Sequence, residues 1–227
     1  MSSSRHLRPT PPLALASALC TALAPGGTEA QEQFRTFVSF ADTTGFWNRS
    51  LSPDGRLMLE AIQNEIWVHD LATGRRATLL KAEAWELRWS RGMDRVAWVQ
   101  PGDNDKGSYV WTMPVDPRTG TSRGAAQRVT VGRGVNPSLS PDGKWIAFAA
   151  PESDQQLAYS GPHHLVVTPA TGGPERNLTR FPGGFEGAQW SADGSSIYLT
   201  GYGASGRPGL YRVRVSDGHQ ALLRAED

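Results

Sequence analysis

The stretch Asn136–Ala150, NPSLSPDGKWIAFAA, decides how the rest of the chain folds. Its pattern predicts a strand, a tight turn at Ser140–Gly143 and a second strand. Pro141 presets the φ angle that a turn requires, Asp142 can accept hydrogen bonds from backbone amides, and Gly143 tolerates a positive φ. The stretch is therefore a β-hairpin whose turn residues have structural roles.

The same hairpin recurs at three other places in the chain. The copies align on the serine that begins each turn, and these serines are 38, 50 and 51 residues apart: Ser52, Ser90, Ser140 and Ser191. Each copy continues with a third strand-like segment, a turn that contains glycine and a short fourth segment. Repeats of about 40–50 residues with four strands each are typical of propeller blades. The sequence therefore predicts an all-β fold, a β-propeller of four four-stranded blades that forms either a closed ring or a partial, open one.

Three of the four turns carry the full Ser-x-Asp-Gly pattern, whereas the second turn has Gly92-Met93 where the others have Asp-Gly. We interpret the repeated aspartates as caps of backbone amides and not as a catalytic set of carboxylates. The structural turn residues are Pro53, Asp54, Gly55, Pro141, Asp142, Gly143, Asp193 and Gly194.

Tryptophan is frequent, and several tryptophans lie at corresponding positions of the predicted strands. We expect their rings to fill the space between blades. They are Trp67, Trp89, Trp111, Trp145 and Trp190. Trp47 and Trp85 lie outside the pattern and are candidates for contact with a ligand.

Residues 1–30 have the organisation of a secretory signal peptide. Arginines without acidic residues precede an apolar stretch at 13–24, and small residues follow it. We expect cleavage after Ala30, with Ala24 as the alternative. Cys20 also suggests a lipoprotein, but the large leucine before it disfavours lipidation. The predicted location is the periplasm or the medium, with no integral membrane segment after cleavage.

The mature chain is balanced in charge and has no cysteine. Removal of residues 1–30 takes away two of the 23 Lys and Arg, one of the 22 Asp and Glu, and the single Cys. No disulfide is then available. Because basic residues are scattered and matched by acidic ones, we expect no nucleic-acid partner.

The residue patterns of familiar catalytic and metal sites are incomplete or misplaced. The stretch Gly120–Gly124, GTSRG, matches Gly-x-Ser-x-Gly, but it lies between two predicted strands, whereas a nucleophile elbow needs a strand-to-helix turn. His163-His164 would point to opposite faces of a strand, and we expect these histidines, like His69 and His219, to be solvated. The segment Asp103–Gly107 resembles a calcium loop but lacks a further carboxylate at the required spacing. We therefore predict no catalytic residue, no metal and no cofactor.

The segments Leu139–Phe148, LSPDGKWIAF, and Pro174–Thr179, PERNLT, resemble TolB-type β-propeller repeats. They are also similar to the N-terminal propeller of prolyl oligopeptidase-like proteins. The resemblance covers about residues 45–223 and is specific for the fold but not for an activity. We interpret the chain as a non-catalytic binding or scaffold protein that mediates protein–protein interaction in the cell envelope. The alternative is the substrate-gating propeller of a prolyl oligopeptidase-like serine hydrolase whose catalytic domain is absent from this chain.

The family's propellers have six or more blades, and four copies are visible here. An open arc would need another chain to cover its ends, so a homo-oligomer is one expectation. The predicted domains are a signal peptide at 1–30, an N-terminal segment at 31–45 that is a candidate closing strand, and propeller blades at 46–227.

The loops between the second and third strands of each copy vary most in length. In a propeller they lie together on one face, which makes that face the expected binding surface for a periplasmic protein or an extended peptide. The candidate contact residues are Asp103, Asp105, Gln155, Gln156, His163, Tyr202 and Arg207.

Overall fold

The computed structural model describes residues 48–102, 107–153 and 161–226. The predicted signal peptide and the candidate closing strand lie outside these residues. Within the described ranges the chain forms sixteen strands and no α-helix, so no helix there has the length and apolar character for crossing a membrane. The strands are β1 (Arg49–Leu51), β2 (Leu57–Ile62), β3 (Glu65–Asp70), β4 (Arg76–Lys81), β5 (Trp85–Trp89), β6 (Arg95–Pro101), β7 (Ser108–Pro114), β8 (Gln127–Arg128), β9 (Val135–Leu139), β10 (Trp145–Pro151), β11 (His163–Pro169), β12 (Arg176–Phe181), β13 (Phe185–Trp190), β14 (Ser196–Tyr202), β15 (Pro208–Arg214) and β16 (Gln220–Ala225).

Every four consecutive strands form one antiparallel sheet, and neighbours in sequence are neighbours in the sheet. The first strands of the sheets pack in succession, β1 against β5, β5 against β9 and β9 against β13. Among the described strands, β13 does not pack against β1 in this way. The four predicted blades are therefore confirmed, and they form a partial β-propeller.

The hairpin turns repeat the same hydrogen bonds in three sheets. The hydroxyls of Ser52, Ser140 and Ser191 each donate to the aspartate two residues later at 2.6 Å. The same hydroxyls accept the amide of the residue five positions on, at 2.8 to 2.9 Å. Each turn thus closes on one buried or half-buried serine, and its glycine has a φ of 68° to 73°.

The second turn reaches the same shape with other residues. Ser90 donates to Asp94 at 2.8 Å, and the amide of Arg95 donates to Ser90 Oγ at 3.0 Å. Met93 takes the left-handed position with a φ of 59°. In this turn the carboxylate that accepts the serine hydroxyl, Asp94, follows the residue with positive φ, whereas in the other turns the aspartate precedes the glycine. The turn therefore keeps its length without the Asp-Gly pair.

Two apolar clusters hold the sheets together, one between the first and second sheets and one across the second, third and fourth. Trp89 Nε1 donates to Ser50 O at 3.1 Å, and Trp190 Nε1 donates to Ser138 O at 2.9 Å, so both indoles link a sheet to the preceding one. Trp145 differs, because its side chain is 43 % exposed at the start of β10. The expectation that Trp145 fills space between blades is wrong, since Trp145 borders an open cavity between the third and fourth sheets.

Candidate functional site

A cavity of about 690 Å³ opens between the third and fourth sheets, at the end of the propeller that carries the hairpin turns. We call this end the turn end and the opposite one the loop end. Three turns border the cavity: Arg91 comes from the second, Asp142 from the third and Asp193 from the fourth. The residues predicted to shape the turns therefore also form the rim of a cavity.

The three turns touch one another in order. A Cβ atom on Gly143 would lie 3.3 Å from Asp94 Oδ1, and one on Gly194 would lie 3.9 Å from Pro141 Cδ. Because each turn is closed by its own serine and packed on the next, the rim is rigid. A rigid rim keeps the groups around the cavity in place before any ligand arrives.

The walls of the cavity combine two indoles with aliphatic side chains. Trp145 presents its exposed ring, and Trp190 is half-buried with its ring held by the bond to Ser138 O. Val167 and Val215 complete the apolar lining. Such a surface favours a ligand with an apolar part that can cover the indole rings.

The two carboxylates of the rim are ionised and already occupied. Hydrogen bonds from the Ser191 hydroxyl and then from Ser195 lower the pKa of Asp193 to about 2. The pKa of Asp142 is lowered as well, chiefly by the Ser140 hydroxyl. The Oδ1 atoms of both aspartates accept hydrogen bonds from their own turns, so these carboxylates hold the turns closed.

The two arginines of the cavity, Arg91 and Arg176, have unused hydrogen-bond donors. Arg176 makes one long contact, 3.5 Å from Nη1 to Ser216 O, and Arg91 makes no ion pair with any described residue. A guanidinium has five N–H donors. Arg91 and Arg176 therefore give the cavity unused cationic donors, which match a ligand that supplies acceptor oxygens.

Of the predicted contact residues, Asp103, Asp105, Gln155 and Gln156 lie outside the described residues. Tyr202 is 48 % exposed and borders a smaller cavity of about 190 Å³. Arg207 is exposed in the turn before β15, where its carbonyl accepts the Tyr211 hydroxyl at 2.7 Å. The structure thus places Tyr202 and Arg207 on the surface of the fourth sheet.

His163 is not solvated as expected, because its side chain is only 2 % exposed. Its Nδ1 lies 2.8 Å from Gly161 O, and its ring meets Phe185 edge-on with centroids 6.3 Å apart. Its neighbour His164 is half-exposed, with Nε2 3.2 Å from Glu152 Oε1. The sequence did predict that these rings diverge, but it did not show which of them is covered.

A feature shared by the first strands of three sheets was not predicted from the sequence. Glu86, Asn136 and Gly187 each lie four residues before a turn serine, and each has a φ between 53° and 65° at a bulge. Asn136 N donates to Glu86 Oε2 at 2.6 Å, and Asn136 Nδ2 donates to Phe185 O at 3.4 Å. These bonds connect the second, third and fourth sheets near the axis. The constant spacing from the serine is the signal that could have revealed them.

Described residues include no group of three or more His, Cys, Asp or Glu that is placed to hold a metal ion.

Four antiparallel sheets packed through their first strands define a propeller domain. Among solved structures, TolB from Acinetobacter baumannii is 18 % identical with a TM-score of 0.58, over 79 % of this chain and 43 % of that one. A putative TolB from Agrobacterium tumefaciens is 21 % identical with a TM-score of 0.61, over 79 % of this chain and 62 % of that one.

A puromycin hydrolase mutant complexed with PGG is 18 % identical with a TM-score of 0.55, over 78 % of this chain and 30 % of that one. No protein-family model and no curated protein matches the sequence. The described chain therefore has the fold of TolB-type propellers, and it spans less than two thirds of either TolB structure.

Proposed function

We propose that this chain is an exported, non-catalytic propeller that binds a peptide segment of another cell-envelope protein in the cavity at the turn end. The cavity carries the proposal, because its volume of about 690 Å³ lies in the usual range of ligand sites. The export pattern of residues 1–30 and the likeness to TolB support the envelope location.

A peptide fits the chemistry of the cavity better than a uniformly charged ligand. Its carbonyl and carboxylate oxygens would meet Arg91 and Arg176, and an apolar side chain would cover Trp145. The ionised Asp142 and Asp193 oppose a ligand that is negative along its whole length. The candidate contact residues Asp103, Asp105, Gln155, Gln156, Tyr202 and Arg207 remain predicted contacts of a periplasmic partner, whereas the buried His163 does not.

Site-specific photo-crosslinking in the envelope of living cells tests this proposal. A photoreactive phenylalanine analogue replaces Trp145 in the full chain, and the matched control places it at Leu210, which is exposed on the fourth sheet. We expect one defined protein adduct from position 145 and none from position 210. Adding Arg176→Ala should reduce that adduct about tenfold, the scale of a lost charge-assisted contact. Equal adducts from both positions, or none from 145, would contradict the proposal.

The alternative function is the gating propeller of a serine hydrolase. It is favoured by the puromycin hydrolase, of which this chain covers only 30 %. That function requires a catalytic domain in the same natural polypeptide. Immunoblotting of the native product from its own cells decides between the two: a band much larger than expected for 227 residues supports the gating propeller, and a band of that size removes it.

A further inference from the structure

A second cavity, of about 390 Å³, lies between the outer parts of the first and second sheets. We call it the wedge groove and define it by Val68, Asp70, residues 75–79 along β4, and residues 118–122. It shares no residue with the cavity at the turn end. Its two walls therefore present a surface that the proposed peptide site does not use.

The wedge groove exists because the outer strand of the second sheet is short. That strand, β8, has two residues, whereas β4, β12 and β16 have six each. Between β7 and β8 the chain makes a separate turn, closed by a bridge between Val115 and Ser122. Because β8 is shorter than the fourth strands of the other sheets, it leaves an open space beside β4.

The turn that borders the groove is fixed to the first sheet. A Cβ on Gly120 would come within 2.7 Å of Val68 Cγ1, so the backbone there lies directly on the sheet. Arg56 Nη2 also donates to Pro117 O at 3.2 Å and to Arg118 O at 2.5 Å. The groove is therefore formed in advance, and a ligand need not order it.

The charge around the groove is cationic. Arg75, Arg76 and Arg118 are exposed, and none of them makes an ion pair with a described carboxylate. Asp70 is the single carboxylate of the lining, and its Oδ1 accepts the amides of Ala72 and Thr73 at 3.0 and 2.9 Å. Asp70 Oδ1 is thus engaged by its own turn, and Arg76 lies over the Trp67 ring, 4.9 Å from its centroid. The guanidiniums of Arg75 and Arg118 are available for acidic groups.

The backbone of β4 also offers donors and acceptors. This strand is at the outer edge of its sheet. Asp70 N donates to Arg75 O at 2.8 Å, and Val68 is paired with Ala77. In an antiparallel pair the bonded positions alternate, so the amides of Arg76 and Thr78 point away from β3. An extended chain laid beside β4 would find unpaired backbone groups there.

We propose that the wedge groove binds an extended acidic segment of a partner protein. Its backbone pairs with the outer edge of β4, its carboxylates contact Arg75 and Arg118, and an apolar side chain covers Ala77 and Leu79. This is strand addition with charge selection, a recurring mode of peptide recognition.

Fluorescence anisotropy with the full chain tests the groove. The probe is a short fluorescein-labelled peptide of alternating glutamate and valine, and its counterpart has glutamine in place of glutamate. We expect binding of the acidic peptide, at least about tenfold weaker binding of the glutamine peptide, and a loss of about tenfold or more in the double variant Arg75→Glu, Arg118→Glu. The matched control is Arg212→Glu, Arg224→Glu on the fourth sheet, which changes the net charge equally and should leave the affinity within about twofold.

A further variant separates strand addition from simple charge attraction. Thr78→Pro removes an outward amide at an edge position, where proline is tolerated. We expect it to weaken the acidic peptide while the melting temperature stays close to that of the parent chain. Equal weakening in the control pair, or displacement of the peptide by a sulfated polysaccharide at the same concentration in all variants, shows non-specific attraction and overturns the proposal. Unchanged binding in Thr78→Pro overturns the strand pairing.

Discussion

The two end sheets of the propeller have the same strand order but different outer faces. In the second, third and fourth sheets, one position of the second strand holds a buried apolar residue that faces the preceding sheet: Trp98, Phe148 and Leu199. The first sheet has Glu60 there, and it is only 3 % exposed. The outer face of the first sheet is thus built around a buried carboxylate.

The fourth sheet shows the opposite arrangement on its outer face. The paired residues Ala97 and Thr112 in the second sheet, and Ala147 and Val167 in the third, are small or aliphatic and buried against the following sheet. The equivalent pair in the fourth sheet is Tyr198 and Arg212, and Arg212 is exposed. The outer face of the fourth sheet is therefore polar and partly exposed, whereas that of the first sheet holds a buried carboxylate.

The largest expected effect comes from removing the buried carboxylate. Arg49 Nε lies 2.6 Å from Glu60 Oε1, and His69 Nε2 lies 3.0 Å from Oε2 without a hydrogen bond to it. Glu60→Ala removes the carboxylate that both the Arg49 guanidinium and the His69 ring face. We expect a loss of about 3 kcal/mol in the free energy of unfolding, the scale of a broken buried ion pair. Denaturant titration followed by tryptophan fluorescence measures it.

The control for that change is on the other end face. Arg212→Ala removes an exposed charge from the fourth sheet and should alter the free energy of unfolding by no more than about 0.5 kcal/mol. If both variants lose the same stability, the two outer faces do not differ in the way described.

A smaller effect is expected at a position that the two end sheets share. Trp190 ends the first strand of the fourth sheet and bonds to Ser138 O, whereas Leu51, at the same place in the first sheet, is 57 % exposed. Trp190→Leu should cost about 1–2 kcal/mol through lost packing and the lost hydrogen bond. Leu51→Ala should cost no more than about 0.5 kcal/mol. Thermal unfolding of both variants tests this, and a larger loss at Leu51 would mean that another part of the protein covers the first sheet.

Sequence reasoning succeeded where the information is local. The turn at Ser140 depends on residues within five positions of the serine, so its repeats revealed the blades and their strand order. The cavity at the turn end depends on Arg91, Asp142 and Asp193, which are about fifty residues apart and meet only because the sheets pack in succession. No local sequence pattern indicates that these three residues come together.

Burial at the ends of strands was the second limit. His163 and Trp145 both occupy first positions of strands, yet one is covered and the other is exposed. Alternation along a strand tells which face a side chain is on, but the covering of that face comes from loops and neighbouring sheets. Glu60 shows that the limit also applies within a strand, since a glutamate in the middle of β2 is expected to face water but is buried.

The smallest expected effect on stability concerns the hairpin turns, where the first and fourth sheets have the same serine–aspartate hydrogen bond. A hydrogen bond from the preceding serine lowers the pKa of Asp54, and the corresponding bonds lower that of Asp193 to about 2. Because the folded pKa lies below the unfolded value of about 3.8, each ionised aspartate stabilises the fold above pH 4. That stabilisation disappears as the pH falls towards 2.

Asp193→Asn should therefore reduce stability at neutral pH and flatten its decline between about pH 4 and 2, and Asp54→Asn should do the same. Urea midpoints measured across this pH range check both variants, with Glu186→Gln as the control, and an unchanged slope in Asp193→Asn would show that the turn carboxylate does not contribute to acid sensitivity.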